Sequence, residues 1–404
     1  MLPEHSNASD TPTTAPTEGG LIPIWDALHS FKVARYRLTY RVIRPVAFEG
    51  YLGSVLRGTF GARLRWISCP SRTAPCVGCE WRTRCAYAYV FETPVPEGAE
   101  RLRTHQDIPR PFVIEAPPPG ALQLAAGDEL SLGLILLGRA VDYLPHFILA
   151  FREIDRFSQG PGAGPGANVR LEEFAVARGG FGWRVDAAGE TVSDAARTPP
   201  SAARVAPSPD EVVWRAADPR RVAAGTVLTG REIIARGPAG APPGAPAQAP
   251  TGVAESTEAA GNDGLRSLTI TFQTMTRLKH EAGYARRPEF HILIRSLLRR
   301  VSNLLYFHSG IDLGVDFRDL IARAGQVPLT HDGTRWQDWT RYSSRQGAAM
   351  DLGGFVGEAR YAGNLDGFLP LLLIGEYVHV GKNATFGLGQ MRVDALRHAC
   401  QPLP

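Results

Sequence analysis

From Gly237 to Gly264 the chain is built almost wholly of alanine, proline, glycine and small polar residues, without one aromatic side chain. Such a segment cannot bury enough apolar surface to offset the entropy of ordering it. It reads as a flexible linker over 237–264, and it divides the 404 residues into two blocks, each long enough for its own core. Residues 1–20 are polar, rich in proline and threonine and free of aromatics, and are expected to form a disordered tail. They offer neither a basic start nor an apolar stretch of the kind that directs secretion, and no run of about 18 apolar residues occurs anywhere. A cytoplasmic protein without a membrane span is expected, with domains over 21–236 and 265–404.

The first block alternates strand and helix patterns. Between Phe31 and Arg44, side chains Tyr36, Leu38, Tyr40 and Val42 share one face and Arg35, Arg37, Thr39 and Arg41 the other. This predicts a half-buried strand with a basic outer face. Gly50 to Trp66 places Leu52, Val55, Leu56, Phe60 and Leu64 at helical spacing. Phe112–Ala116 and Leu130–Leu137 read as strands, the second apolar enough to be central in a sheet. Asp142 can cap a helix with the stripe Leu144, Phe147, Ile148 and Phe151, and a strand over Val169–Ala177 closes the series. Short strands over Glu211–Trp214 and Thr226–Ile234 follow. The second block repeats the order without repeating the sequence. A strand from Leu268 precedes a helix opened by Pro288, then come strand-like Phe355–Tyr361, apolar Phe368–Ile374 and a closing strand. Strand, helix, strand, strand, helix, strand is the ferredoxin-like order, shared with RNA-recognition folds. An α+β class with two tandem ferredoxin-like (RRM-like) domains is therefore expected.

Four cysteines, Cys69, Cys76, Cys79 and Cys85, lie within 17 residues of a chain that has only one other, Cys400. In a reducing compartment such clustering favours a metal over disulfides. The segment 67–92 has almost no core of its own, so a metal would supply its folding energy. A structural zinc is the first reading, an iron–sulfur cluster the second and no metal the third. Four thiolates leave no open position for a catalytic metal.

The last block closes on Gly375–Val393, read as a strand, a glycine-rich loop and a strand. Val378 and Val380 alternate with Tyr377 and His379, and Met391 and Val393 with Gln390 and Arg392. Gly381, Gly387 and Gly389 permit positive φ and close approach of backbone N–H groups to a ligand, and Lys382 adds a cation. Only three lysines, Lys32, Lys279 and Lys382, stand among 41 arginines, and two of them fall at strand ends of this block. His291, Arg295 and Arg299 form one polar helical stripe, either solvated or following an RNA backbone. Trp336 to Gln346 interleaves aromatics with Arg341 and Arg345, the mixture that single-stranded RNA needs, or a core with arginine caps.

Several motifs carry a resemblance. They are Leu56-Arg57-Gly58-Thr59-Phe60-Gly61, the four cysteines with Tyr87 to Pro94 after them, the Arg341-to-Gln346 block, Gly353-Gly354 and the closing glycine loop. Together they resemble the CRISPR-associated RAMP proteins, and among these the endoribonucleases of the sixth Cas family, which process CRISPR repeat RNA. The resemblance implies cleavage of precursor RNA within each repeat, a 2′,3′-cyclic phosphate, a mature guide RNA, and association with effector-complex subunits in antiviral defence. Many members carry a catalytic histidine in the first helix of the first domain, whereas Gly50–Trp66 has none.

RNA brings its own nucleophile, the 2′-hydroxyl, so cleavage needs only a base, an acid and cations for the phosphorane charge. A histidine near its ordinary pKa serves as either at neutral pH. His379, Tyr342 and Lys382 are the expected catalytic groups. Lys279, His280, His291, Arg295, Arg341, Arg345, Gly381, Gly387, Gly389 and Arg392 are the expected RNA contacts. No Walker loop or paired-carboxylate cluster points to an NTPase or a metal-dependent nuclease. A net charge of +4 decides nothing. Two other readings stay open: a RAMP subunit that binds guide RNA without cutting it, and a zinc-bearing scaffold that does not touch RNA.

Overall fold

The structure, a computed structural model, describes residues 24–72, 74–95, 108–157, 166–177, 183–185, 191–193, 212–238, 267–314, 316–343 and 348–396. The tail expected over 1–20 and nearly all of the linker expected over 237–264 lie outside them.

The first block builds an antiparallel sheet from β1 (Lys32–Val42), β2 (Phe112–Glu115), β3 (Glu129–Leu137), β4 (Val169–Val176) and β5 (Val212–Arg215), in the spatial order β2-β3-β1-β4-β5. Helices α1 (Leu52–Ser68) and α2 (Leu144–Arg152) follow β1 and β3. The second block repeats this with β6 (Ser267–Thr276), helix α3 (Phe290–Ser309), β7 (Leu329–Gln337), β8 (Gly354–Ala362), helix α4 (Leu369–Val378) and β9 (Met391–Leu396). Its sheet runs β7-β8-β6-β9, again antiparallel. In both sheets the first strand lies between the third and the fourth, the order that strand–helix–strand repeats produce when both crossovers are right-handed.

Apolar periodicity sets the layers. Phe60 on α1 stacks on Phe147 and Phe151 of α2, with ring centroids 5.0 Å away in each case, and all three are buried against Tyr36, Leu38 and Tyr40. One end of the opposite face of the first sheet is covered too, while Arg37 and Glu129 on that face stay exposed. Val33, Val113, Ile135 and Leu137 project from it into the core that holds α3, α4 and the second sheet. This two-sided burial explains the unbroken apolar run of β3, and it buries Arg35, which the alternation assigned to a solvated basic face.

Two local expectations are corrected. Thr226–Ile234 is a strand only at Leu228–Thr229, and Gly230–Arg236 is a helix, because Thr229 and Glu232 form a capping box. Asp142 does not cap α2; it sits in a short 3₁₀ helix, Gly138–Tyr143, that runs directly into α2.

Phe60 anchors the first core, so Phe60→Ala should lower the unfolding free energy by about 3–5 kcal/mol. Urea unfolding followed by tryptophan fluorescence would measure it.

Candidate functional site

The closing stretch departs from expectation at its first element. Gly375–Val378 is the end of helix α4, not a strand, and His379 is its C-terminal cap at φ 58°. The consecutive buried residues Leu371 to Ile374 pack on several sides at once, so the short Val/His/Tyr alternation beyond them is an accident of the helix end. His379 is 0% exposed. Its Nε2 lies 3.4 Å from Glu115 Oε1, and its Nδ1 lies 3.2 Å from the Leu388 carbonyl oxygen. This placement does not suit the substrate-facing acid or base expected there, because the ring meets only protein.

Glu115, also fully buried, is the centre of that junction. Arg35 Nε donates to its Oε2 at 2.9 Å, Arg35 Nη2 bonds the other oxygen, and Gln390 Nε2 donates to Oε1 at 2.9 Å. Arg35 and Glu115 belong to the first sheet, His379 and Gln390 to the second block. Burial pushes the Glu115 carboxyl up, but the Arg35 guanidinium and His379 together hold it below its usual range. Burial also lowers the His379 pKa, against the opposing pull of Glu115.

The glycine loop is bonded to the protein's own backbone. Gly389 N donates to the Met275 carbonyl at 3.1 Å, Gly387 N to Ala384 at 2.9 Å and Lys382 N to Arg277 at 3.1 Å. A Cβ on Gly389 would collide with the Val380 carbonyl oxygen, and one on Gly387 with that of Ile114. These two glycines are needed for the loop's own packing at positive φ, and their buried N–H groups do not face a phosphate as expected. Tyr51 seals the far side, its hydroxyl donating to the Phe386 carbonyl at 2.5 Å. Gly381 is half-buried and Lys382 alone stands exposed at the tip.

Outside this junction the structure gathers a different set. Arg277, at the base of a hairpin formed by Lys279–His280 and Gly283–Tyr284, covers the Tyr284 ring at 4.5 Å and pairs with Asp351. His280 on that hairpin meets His291 in the first turn of α3, with ring centroids 6.1 Å apart. Lys279 and Arg295 flank them, both exposed, and the backbone bond from Lys382 to Arg277 ties the loop tip to the same edge. Thus Lys279, His280, His291, Arg295 and Lys382 share one neighbourhood. Arg392 is elsewhere, on β9, with its guanidinium 2.9 Å from Asp394. Arg341 and Tyr342 lie on the strand Thr340–Ser343, but their side chains fall outside what the structure describes, as does all of Arg345.

Cys69, Cys76, Cys79 and Cys85 are free thiols, Cys79 exposed and the others partly so. Burial, then Glu92 and the neighbouring Cys85 and Cys69 raise the Cys76 thiol above its ordinary range, against Arg65. Among the described residues no three His, Cys, Asp or Glu side chains converge to hold a metal.

Sequence reasoning missed Glu115, Arg35 and Gln390. The signal was available in part: Glu115 is the one charge in the apolar run Phe112–Ala116, and a charge there requires a buried partner.

Two family models match the chain. One, described only as an N-terminal domain, takes up residues 31–195; the other, CRISPR-associated endoribonuclease Cas6, takes up residues 270–391. The second block therefore carries a Cas6-family domain, and the recognition drawn from the motifs holds. No curated protein matches. Among solved structures, the chain resembles a chain of a partial Cas6-RT-Cas1–Cas2 complex at 13% identity and TM-score 0.49, covering 93% of this chain and 48% of that one. The chain thus spans about half the length of that relative. A Thermus thermophilus Cas6 matches at 14% identity and TM-score 0.43 over 90% of this chain and 99% of its own. A Cas6 product complex matches at 15% identity and TM-score 0.46, over 90% and 100%. Among the described residues, no helix is long and apolar enough to cross a membrane.

Removing one partner of the buried junction strands the other charge. Glu115→Ala should cost about 3–5 kcal/mol of stability, measured by chemical denaturation. The pH dependence has a definite sign. Glu115 and His379 both have folded pKa values below their ordinary 4.5 and 6.5, so the unfolded chain binds more protons in acid. The midpoint should begin to fall below pH 6.5 and fall further below pH 4.5, and Glu115→Ala should reduce the lower part of that fall, to which Asp332 also contributes.

Proposed function

We propose that this protein is a metal-independent endoribonuclease that cuts CRISPR precursor RNA within its repeats to give mature guide RNA. The observation that carries this reading is the Cas6-family domain over residues 270–391. The exposed edge of Lys279, Arg295 and Lys382 supports it, since cations on one rim suit a phosphate backbone. In this reading the two sheet-and-helix blocks are tandem ferredoxin-like domains, and the segment 67–92 is an insertion in the first. The 2′-hydroxyl attacks the adjacent phosphorus and leaves a 2′,3′-cyclic phosphate, while Lys382 and Arg295 hold the phosphate charge. The protein works in the cytoplasm, keeps hold of the repeat and passes the guide to effector-complex subunits. Tyr342 as a catalytic group and Arg341 as an RNA contact belong to the same reading, on their residue types and place in the sequence alone. A structural zinc on the four cysteines is supported by their spacing alone.

Two observations favour a second reading, a RAMP subunit that binds guide RNA without cutting it: α1 has no histidine, and His379 is sealed from solvent. Labelled repeat RNA from the same genome, incubated with the protein in EDTA, decides between them. The endonuclease should yield a fragment ending in a 2′,3′-cyclic phosphate. RNA that shifts on a gel yet stays intact would favour the binding subunit, and RNA not retained even at low ionic strength would overturn both. Elemental analysis of protein purified under reducing conditions should find about one zinc per chain, and finding no metal removes the zinc.

A further inference from the structure

Two histidines meet outside the buried junction. His280 lies on the hairpin between β6 and α3, and His291 lies one residue into α3. Their ring planes cross at 76° with centroids 6.1 Å apart. Eleven positions separate them in sequence and they sit on different elements, so no helical or strand periodicity forces the pairing. Both rings are part-exposed. His280 Nδ1 is buried without a hydrogen-bond partner, and its Nε2, 3.8 Å from the Glu281 carboxylate and too far from it for a hydrogen bond, is the nitrogen left to meet a ligand. Fixed imidazoles at the rim of a basic edge have a chemical use. In cleavage by a 2′-hydroxyl, the attacking and leaving oxygens belong to one phosphorus, and two ring nitrogens several ångströms apart can reach both.

We infer that His280 and His291 are the acid–base pair of the cleavage proposed above, with His291 the base and His280 the acid. The inference rests on that reading of the function. His291 takes the proton of the 2′-hydroxyl as the 2′-oxygen bonds to phosphorus. The bond from phosphorus to the 5′-oxygen breaks, and protonated His280 gives its proton to that oxygen. One proton is taken and one given, so the products are a 2′,3′-cyclic phosphate and a 5′-hydroxyl, with no other reactant. Solvent resets the two rings. Burial, then Arg295 and His280, lower the His291 pKa against Glu289, which keeps the ring neutral and able to accept a proton. Lys279 adjoins His280 on the hairpin, and Arg295 follows His291 by one helical turn. Both are placed to hold the phosphate while the pair acts.

The test is single-turnover cleavage of labelled repeat RNA in EDTA by wild type, His280→Gln and His291→Gln, with gel-shift affinity and a pH–rate profile for each. Each variant should cut at least about 100-fold more slowly while retaining RNA within about threefold. The acid limb of the profile should flatten in His291→Gln and the alkaline limb in His280→Gln. Loss of rate with unchanged limbs would mean a structural role and would overturn the inference. Variants that cut as fast as wild type would also overturn it, leaving the endonuclease reading intact. Wild type that binds the repeat but never cuts it would defeat that reading, and the catalytic pair with it. RNA carrying a 2′-deoxy nucleotide at the cleavage position should bind and remain whole.

Discussion

Everything around the closing loop depends on one buried carboxylate. Glu115 sits at the end of β2 with no water to solvate it, so it requires partners, and the chain supplies them from both halves. Arg35 neutralises it from the same face of the first sheet. Gln390 and His379 approach it from the second block. A charge so placed is intolerant of sliding, because a shift of one ångström leaves a donor or an oxygen unmatched. Apolar packing across the seam, from Val113, Ile135 and Leu137 to α4, supplies the bulk of the attraction, and the carboxylate selects the register.

That register fixes where Lys382 emerges. The loop from Val380 to Gln390 is pinned by backbone bonds to Met275 and Arg277 on one side and by Tyr51 on the other. Its glycines serve the close passage of chain past chain. The outer edge, by contrast, is built from side chains that keep to solvent: the hairpin 279–284, the start of α3 and the loop tip. The molecule therefore separates two kinds of histidine. His379 belongs to the frame, whereas His280 and His291 lie where a ligand can meet them.

Much of the architecture was legible in the sequence, because periods of 2 and 3.6 survive wherever an element has one buried face. The strands at Leu38 and Ile270 and the helices at Phe60 and Leu297 are of this kind. The reading failed where burial is two-sided or local. Helix α4 is apolar on several faces, so its end passed for a strand, and Arg35 looked solvated because nothing in the first block reveals that the second block covers it. The candidate site was half legible. Residue types and the lysines at strand ends named groups that the structure brings to one edge, but which histidine is sealed is decided by contacts between residues 264 positions apart, as from His379 to Glu115.

The cysteine segment lies apart from this frame. Its chain leaves α1 at Cys69 and returns at Tyr87–Glu92, and between these points Val77 and Trp81 face water, as does Trp66 at its base. An outgrowth joined at two neighbouring points can lengthen, shrink or vanish over evolutionary time without disturbing what it hangs from. Its protruding indoles stand where a substitution costs the packed blocks little, since neither Trp66 nor Trp81 is buried in a core.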